Sequence, residues 1–228
     1  MTAFIQRLGF STVGSGTSTI SGTLTNGVTF RQGSILVAVA LGDNAGNHVT
    51  SITDASGNVY TQDYAIPSGA TGNRALEIWR CQDPLAVTNG TVMHVNFSSN
   101  VSTGAMFIAD LFSRLGNVDS TNYNYAPTTT TSFLVNVFPF ATDGVAFGVC
   151  APNGPESTLT VAGPFTATGG AALASPSGIS GLSCYLDNPG TSTVQATFTA
   201  STAHTGVLAM VTYPLQPIGN KGAFFAFM

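Results

Sequence analysis

Charge is what this sequence has least of. Asp, Glu, Lys and Arg make up 7% of its 228 residues, against roughly 25% in an average soluble domain, while apolar residues at 43% are ordinary. Ser, Thr, Asn and Gly fill the difference. Charge normally keeps a lone protein dispersed, and a formal net charge of -4 gives weak protection to a chain of this size. Such a surface suits a protein packed in an assembly or exposed outside a cell. The six basic residues stand singly, which leaves no electrostatic footprint for nucleic acid.

Cysteine is scarce as well. Cys81, Cys150 and Cys184 are an odd number, far apart, without C-x-x-C spacing, so at most one disulfide forms and neither a disulfide framework nor a zinc site is expected. Cys150 ends the apolar run "GVAFGVC" and reads as a small buried hydrophobe. Long apolar runs are missing too: no stretch of about 18 residues is apolar enough to cross a membrane. Read from Met1, "MTAFIQRLGFSTVGSG" has neither the charged start nor the apolar centre of a secretory signal. The expectation is a protein made in a cytoplasm, for which an extracellular destination would require release by lysis.

Helical periodicity is hard to find. What recurs instead is four to eight β-branched or aromatic residues punctuated by Gly, Asn and Pro, which predicts an all-β fold. The expected strands are 3–12, 18–24, 34–41, 49–53, 59–64, 74–80, 91–97 and 105–112, then 132–138, 144–150, 159–161, 181–186, 193–198 and 206–213. "TLTNGVTF" and "VTNGTVMHV" each place Asn-Gly between alternating residues, the signal of a tight hairpin. "SILVAVAL" is almost continuously apolar, as in a central strand covered on both faces. "TVMHVNF" alternates, so one of its faces is expected to be wetter.

The polar stretch "NVDSTNYNYAPTTTTS", residues 117–132, reads as a long crossover. The preferred architecture is a single domain over residues 1–213, a two-sheet β-sandwich of jelly-roll type. Residues 214–228 are expected to form an extended C-terminal arm, since Pro214 and Pro217 cannot donate ladder hydrogen bonds.

Candidate chemistry is thin. Asp43, Asp54, Ser56 and Asn58 carry oxygens of the kind calcium takes, and the last three have the one-three-five spacing of a calcium loop. Val59 then stands where such a loop needs glycine, and no glutamate closes it, so a hairpin turn is the competing reading. The acidic residues are dispersed, "GISGLSC" departs from a nucleophile elbow at Leu182, and His48, His94 and His204 share no metal spacing. No enzyme activity and no cofactor are expected. Aromatics with one wet edge can stack on sugars or partners. Trp79, flanked by Leu76 and Ile78, reads first as core, whereas Tyr123 and Tyr125 fall on one side of an extended segment and read as a contact surface for glycan or partner.

"GSILVAVALGDNAGNHVTSITDASGNVYTQDY" followed by "RALEIWRC" resembles a β-sandwich domain of phage minor tail proteins and some bacterial surface proteins. The shared pattern is a G-x-LLV strand, a V-x-D-x-x-GN-x-Y hairpin and an EIW strand. The likeness is clearest over residues 33–81 and looser through "TGVLAMVTY". With a short aromatic C-terminal peptide, it looks most like minor tail proteins of phages infecting actinobacteria. The resemblance implies a homo-oligomeric virion component, a minor tail or tail-tip protein located in the phage tail, made in the host cytoplasm and touching other tail subunits and the host surface. The alternatives are a capsid decoration protein and a carbohydrate-binding module that uses Trp79 or Tyr123 and Tyr125 on cell-wall glycan. In the closing "KGAFFAFM", Phe224, Phe225, Phe227 and Met228 would each contribute about 1.5–3 kcal/mol if buried, enough to anchor one subunit to another or to cover the chain's own sheet.

Overall fold

In the computed structural model, the described residues are 3–42, 46–66, 74–154, 158–169, 173–174 and 178–216. They form strands and turns without a helix. One sheet contains, in spatial order, β1 (Phe4–Val13), β8 (Gly104–Phe112), β3 (Ser34–Gly42), β6 (Arg74–Gln82) and β5 (Thr61–Ile66). A second contains β11 (Thr160–Ala162), β15 (Val194–Pro214), β10 (Gly144–Pro152), β14 (Ser180–Asp187) and β12 (Thr166–Ala167), with β9 (Ser120–Val137) on β15 and β13 (Leu173–Ala174) on β14. A third contains β2 (Thr19–Thr23), β7 (Val92–Phe97) and β4 (Val49–Asp54). All pairings are antiparallel.

The side-chain period of two sorts the core into layers. On β3, Ile35, Val37, Val39 and Leu41 meet Ile20, Ile52, Met93 and Val95 of the third sheet. Its alternate residues Leu36, Ala38 and Ala40 meet Phe147, Val149, Val207, Ala209 and Val211 of the second. The first sheet is therefore the middle layer of a β-sandwich. Every residue of β3 and β8 is buried, which accounts for their unbroken apolar runs. The expected two-sheet stack carries a third sheet on its far side, and β7 has the expected dry and wet faces: Met93, Val95 and Phe97 are buried while Val92 and His94 are exposed.

Residues 117–132 are not a crossover. Ser120–Val137 is one strand, and β15 merges the two expected strands 193–198 and 206–213. The two run together as a long ribbon whose register breaks between Thr199 and Gly206. Beyond that break, Phe133, Val135, Val137, Ala196 and Phe198 cover Ala146, Cys150, Leu208 and Met210 on the outer face of the second sheet. Asn122 and Asn124 hold the fold-back. Their Nδ2 groups donate to the carbonyls of Asn136 and Leu134 at 2.6 and 2.7 Å. Polar residues in this stretch thus substitute for a neighbouring strand, and the absence of apolar alternation there concealed a strand.

Both Asn-Gly hairpins are corrected. Neither Asn26 nor Gly27 has positive φ, and β2 pairs with β7 rather than with the segment that follows it. At Asn89-Gly90 only Gly90 has positive φ, 92°, and Thr91 N–H donates to Thr88 C=O, the pattern of a type II turn rather than a type I′ hairpin. Pro214 closes β15, and the chain stays pinned through Gln216, whose N–H donates to the Arg114 carbonyl.

Candidate functional site

Few charged residues remain to build a site, and most of them are turned inward. Asp110 on β8 is fully buried. Its Oδ1 pairs with Arg7 Nε of β1, and its Oδ2 accepts from Thr168 Oγ1 at 2.8 Å and Ser183 Oγ at 3.0 Å. Burial pushes its carboxyl up, and Arg7 with the two hydroxyls offsets part of that shift. A bulge in β5 sets both Asp63 and Tyr64 against Ile78, which turns Asp63 toward the second sheet. There it accepts from Tyr213 Oη at 2.9 Å and pairs with Arg80 at 3.2 Å. Burial raises Asp63 and holds the Tyr213 phenol well above its ordinary range. Both clusters fasten the first sheet to the second.

Of the calcium candidates, Asp54, Ser56 and Asn58 form a turn. Asp54 accepts from Ser56 N–H (2.9 Å), Asn58 N–H (3.4 Å), Asn58 Nδ2 (2.9 Å) and Tyr60 Oη (2.8 Å). Those four donors fill the acceptor positions of a carboxylate, and the Ser56 hydroxyl is turned away to the Ala86 carbonyl. Asp43 lies outside the described residues. Among the described residues no group of three or more His, Cys, Asp or Glu side chains is placed to hold a metal. The three cysteines are free and buried. Burial pushes their thiols up, that of Cys81 to about 12, so they behave as small hydrophobes.

The aromatic candidates are divided by strand geometry. Tyr123 and Tyr125 do share one face of β9, opposite Asn122 and Asn124. That face looks toward the first sheet, where Tyr125 hydrogen-bonds Arg74 and Tyr123 lies beside Tyr64. Tyr123 remains 45% exposed. Trp79 is half-buried and shares its face with Glu77 and Cys81, while Leu76 and Ile78 point to the other side. Phe224, Phe225, Phe227 and Met228 lie outside the described residues.

A concavity opens between residues 46–48, β5 and β6, with a volume of about 300 Å³. Ala65 and Ala75 supply apolar wall, while the Ile66 side chain turns to the opposite face with Leu76 and Ile78; His48 and Gln62, both exposed, and Glu77, 1% exposed, also line it. Glu77 Oε1 accepts from Val49 N–H at 2.8 Å, and Oε2 from Gln62 Nε2 at 2.7 Å and Trp79 Nε1 at 2.9 Å. Sequence reasoning passed over Glu77, Asp110 and Arg7. The available signal was a charge inside an otherwise apolar strand, in "RALEIWRC" and "AMFIADLF". A charge in a strand covered on both faces has to be hydrogen-bonded or paired. No family model, curated protein or solved structure matches this chain.

Proposed function

We propose that the chain is a structural subunit of a bacteriophage virion, a minor tail or tail-tip protein that works by docking to other subunits and to the host surface. The observation that carries the reading is where the charge goes. Of ten acidic residues, Asp43 and Glu156 lie outside the described set. Seven of the other eight, Asp54, Asp63, Glu77, Asp83, Asp110, Asp119 and Asp187, accept hydrogen bonds or ion pairs from their own chain. Arg7, Arg80 and Arg114 are the cationic halves of those pairs.

The outside of the described residues carries little unpaired charge, is coated with Ser, Thr and Asn and is studded with Phe10, Phe30, Phe138 and Phe140, which are 50%, 56%, 49% and 68% exposed. Low surface charge favours association over dispersal, and exposed aromatics supply apolar area to a contact. This agrees with the resemblance of residues 33–81 to tail-protein sandwiches. Binding by shape and buried area fits these features better than catalysis.

The test is cryo-EM of whole particles with antibody labelling against this chain. Density and label on the tail or its tip are expected. Label on the capsid would replace the tail assignment with a decoration role, and absence from the particles would sink both virion assignments.

A further inference from the structure

The described buried carboxylates differ in what completes them. Asp110 and Asp63 each face an arginine, and Asp54 has four donors for its acceptor positions. Glu77 has three donors, all neutral, and among the described residues no basic side chain makes an ion pair with it. A carboxylate offers about four lone-pair positions, so one remains on Oε1. Gln62 gives its Nε2 hydrogen to Glu77, which leaves its Oε1 as a second acceptor at the same cavity. The other donors about the cavity are engaged as well: Val49 N–H and Trp79 Nε1–H on Glu77, Asn47 Nδ2 on the Ser99 carbonyl and His48 Nδ1 on the Gly46 carbonyl.

A buried carboxylate with one open acceptor position and no counter-charge among the described residues, beside the Gln62 amide, calls for a group that only donates and carries positive charge. An ammonium is such a group, and its attraction to Glu77 is strengthened by burial. The methyl wall of Ala65 and Ala75 suits a short hydrocarbon stem, in the way that long cationic side chains lay their stems on apolar surface.

We propose that the cavity between residues 46–48, β5 and β6 binds a primary ammonium on a short alkyl chain, the chemistry of a lysine side chain or a small alkylamine. Glu77 fixes the charge and Gln62 orients it. The site does not depend on where the protein assembles.

NMR titration of the full chain tests this with N-acetyl-lysine N-methylamide and n-butylammonium, against N-acetyl-norleucine N-methylamide and methyl glucoside. Both amines should shift the amide signals of Gln62, Ala65 and Glu77, with the uncharged norleucine analogue weaker by about tenfold or more, as expected for losing a charged hydrogen bond. Binding of butylammonium alone would assign the site to free amines, and binding of both to lysine side chains as well. Glu77→Gln should abolish binding. Because that variant alters a buried group, Ala65→Leu serves as the second arm: Ala65 is exposed, so the fold should persist while the cavity is filled and binding is lost. Equal binding of the norleucine analogue, preference for the glucoside, no binding of either amine, or unchanged binding in Ala65→Leu would each overturn the proposal.

Discussion

Arg7 and Asp110 are neighbours across a strand pair of one sheet, yet their contact fastens two sheets. Asp110 also accepts from Thr168 and Ser183 of the second sheet, and Arg7 Nη2 reaches Ser183 Oγ at 3.0 Å. Removing one charge strands the other. Asp110→Ala should therefore destabilise the protein by about 3–5 kcal/mol in denaturant unfolding, while Asp110→Leu combined with Arg7→Met should recover most of that loss. A double variant as unstable as the single one would show that packing, not charge, holds this junction.

Tyr60 and Tyr213 should set the alkaline limit. Burial, followed by the neighbouring carboxylates Asp54 and Asp63, raises both phenols above their ordinary value of 10.0. A raised acid holds its proton more tightly folded than unfolded. Its contribution is whole below the unfolded value and is lost as pH rises through the folded one. Stability should fall as pH climbs past about 10, with tyrosinate absorbance from these two rings appearing together with unfolding. The fall should be shallower in Tyr213→Phe.

Asn122→Ala with Asn124→Ala should remove the bonds that cap the edge of β9. Net loss of two exposed hydrogen bonds is worth about 1–2 kcal/mol. The uncapped carbonyls of Leu134 and Asn136 then offer an edge for another strand, so light scattering should detect more self-association than in the parent.

Gly33 has φ of 73°, and a Cβ there would run into the carbonyl oxygen of Phe112. Both the left-handed backbone and the close approach oppose a side chain. Gly33→Ala should cost about 2–4 kcal/mol by thermal or denaturant unfolding.

Deleting residues 221–228 tests the aromatic peptide as an assembly contact. The expected product is a folded monomer with the parent's unfolding transition that no longer enters particles. A misfolded product would instead indicate that the peptide covers its own sheet.

Much of the layering was legible. The unbroken run "SILVAVAL" announced a strand with two dry faces, and "VMHVNF" announced one with a single dry face, because period-two patterning reports burial directly. The ribbon was not legible in the same way. "STNYNYAPTTTTS" lacks apolar alternation, since Asn122 and Asn124 bond backbone carbonyls while Tyr123 and Tyr125 turn toward the first sheet. The Asn-Gly pairs misled because turn residues report local preference, whereas β2 found its partner some seventy residues away in β7.

By itself the sequence determined an all-β chain of alternating and continuous strands with little charge to keep it dispersed. Tertiary structure decided which charges would disappear inside. Glu77, Asp63 and Asp110 are solitary acids in the sequence, and their partners Gln62, Arg80 and Tyr213, Arg7 and Ser183 come together only through strand pairing and sheet stacking, whereas Trp79 reaches Glu77 from two residues along the same strand. Hydrophobic periodicity is a local property of a strand, but the neutralisation of a buried charge depends on which strand lies across from it.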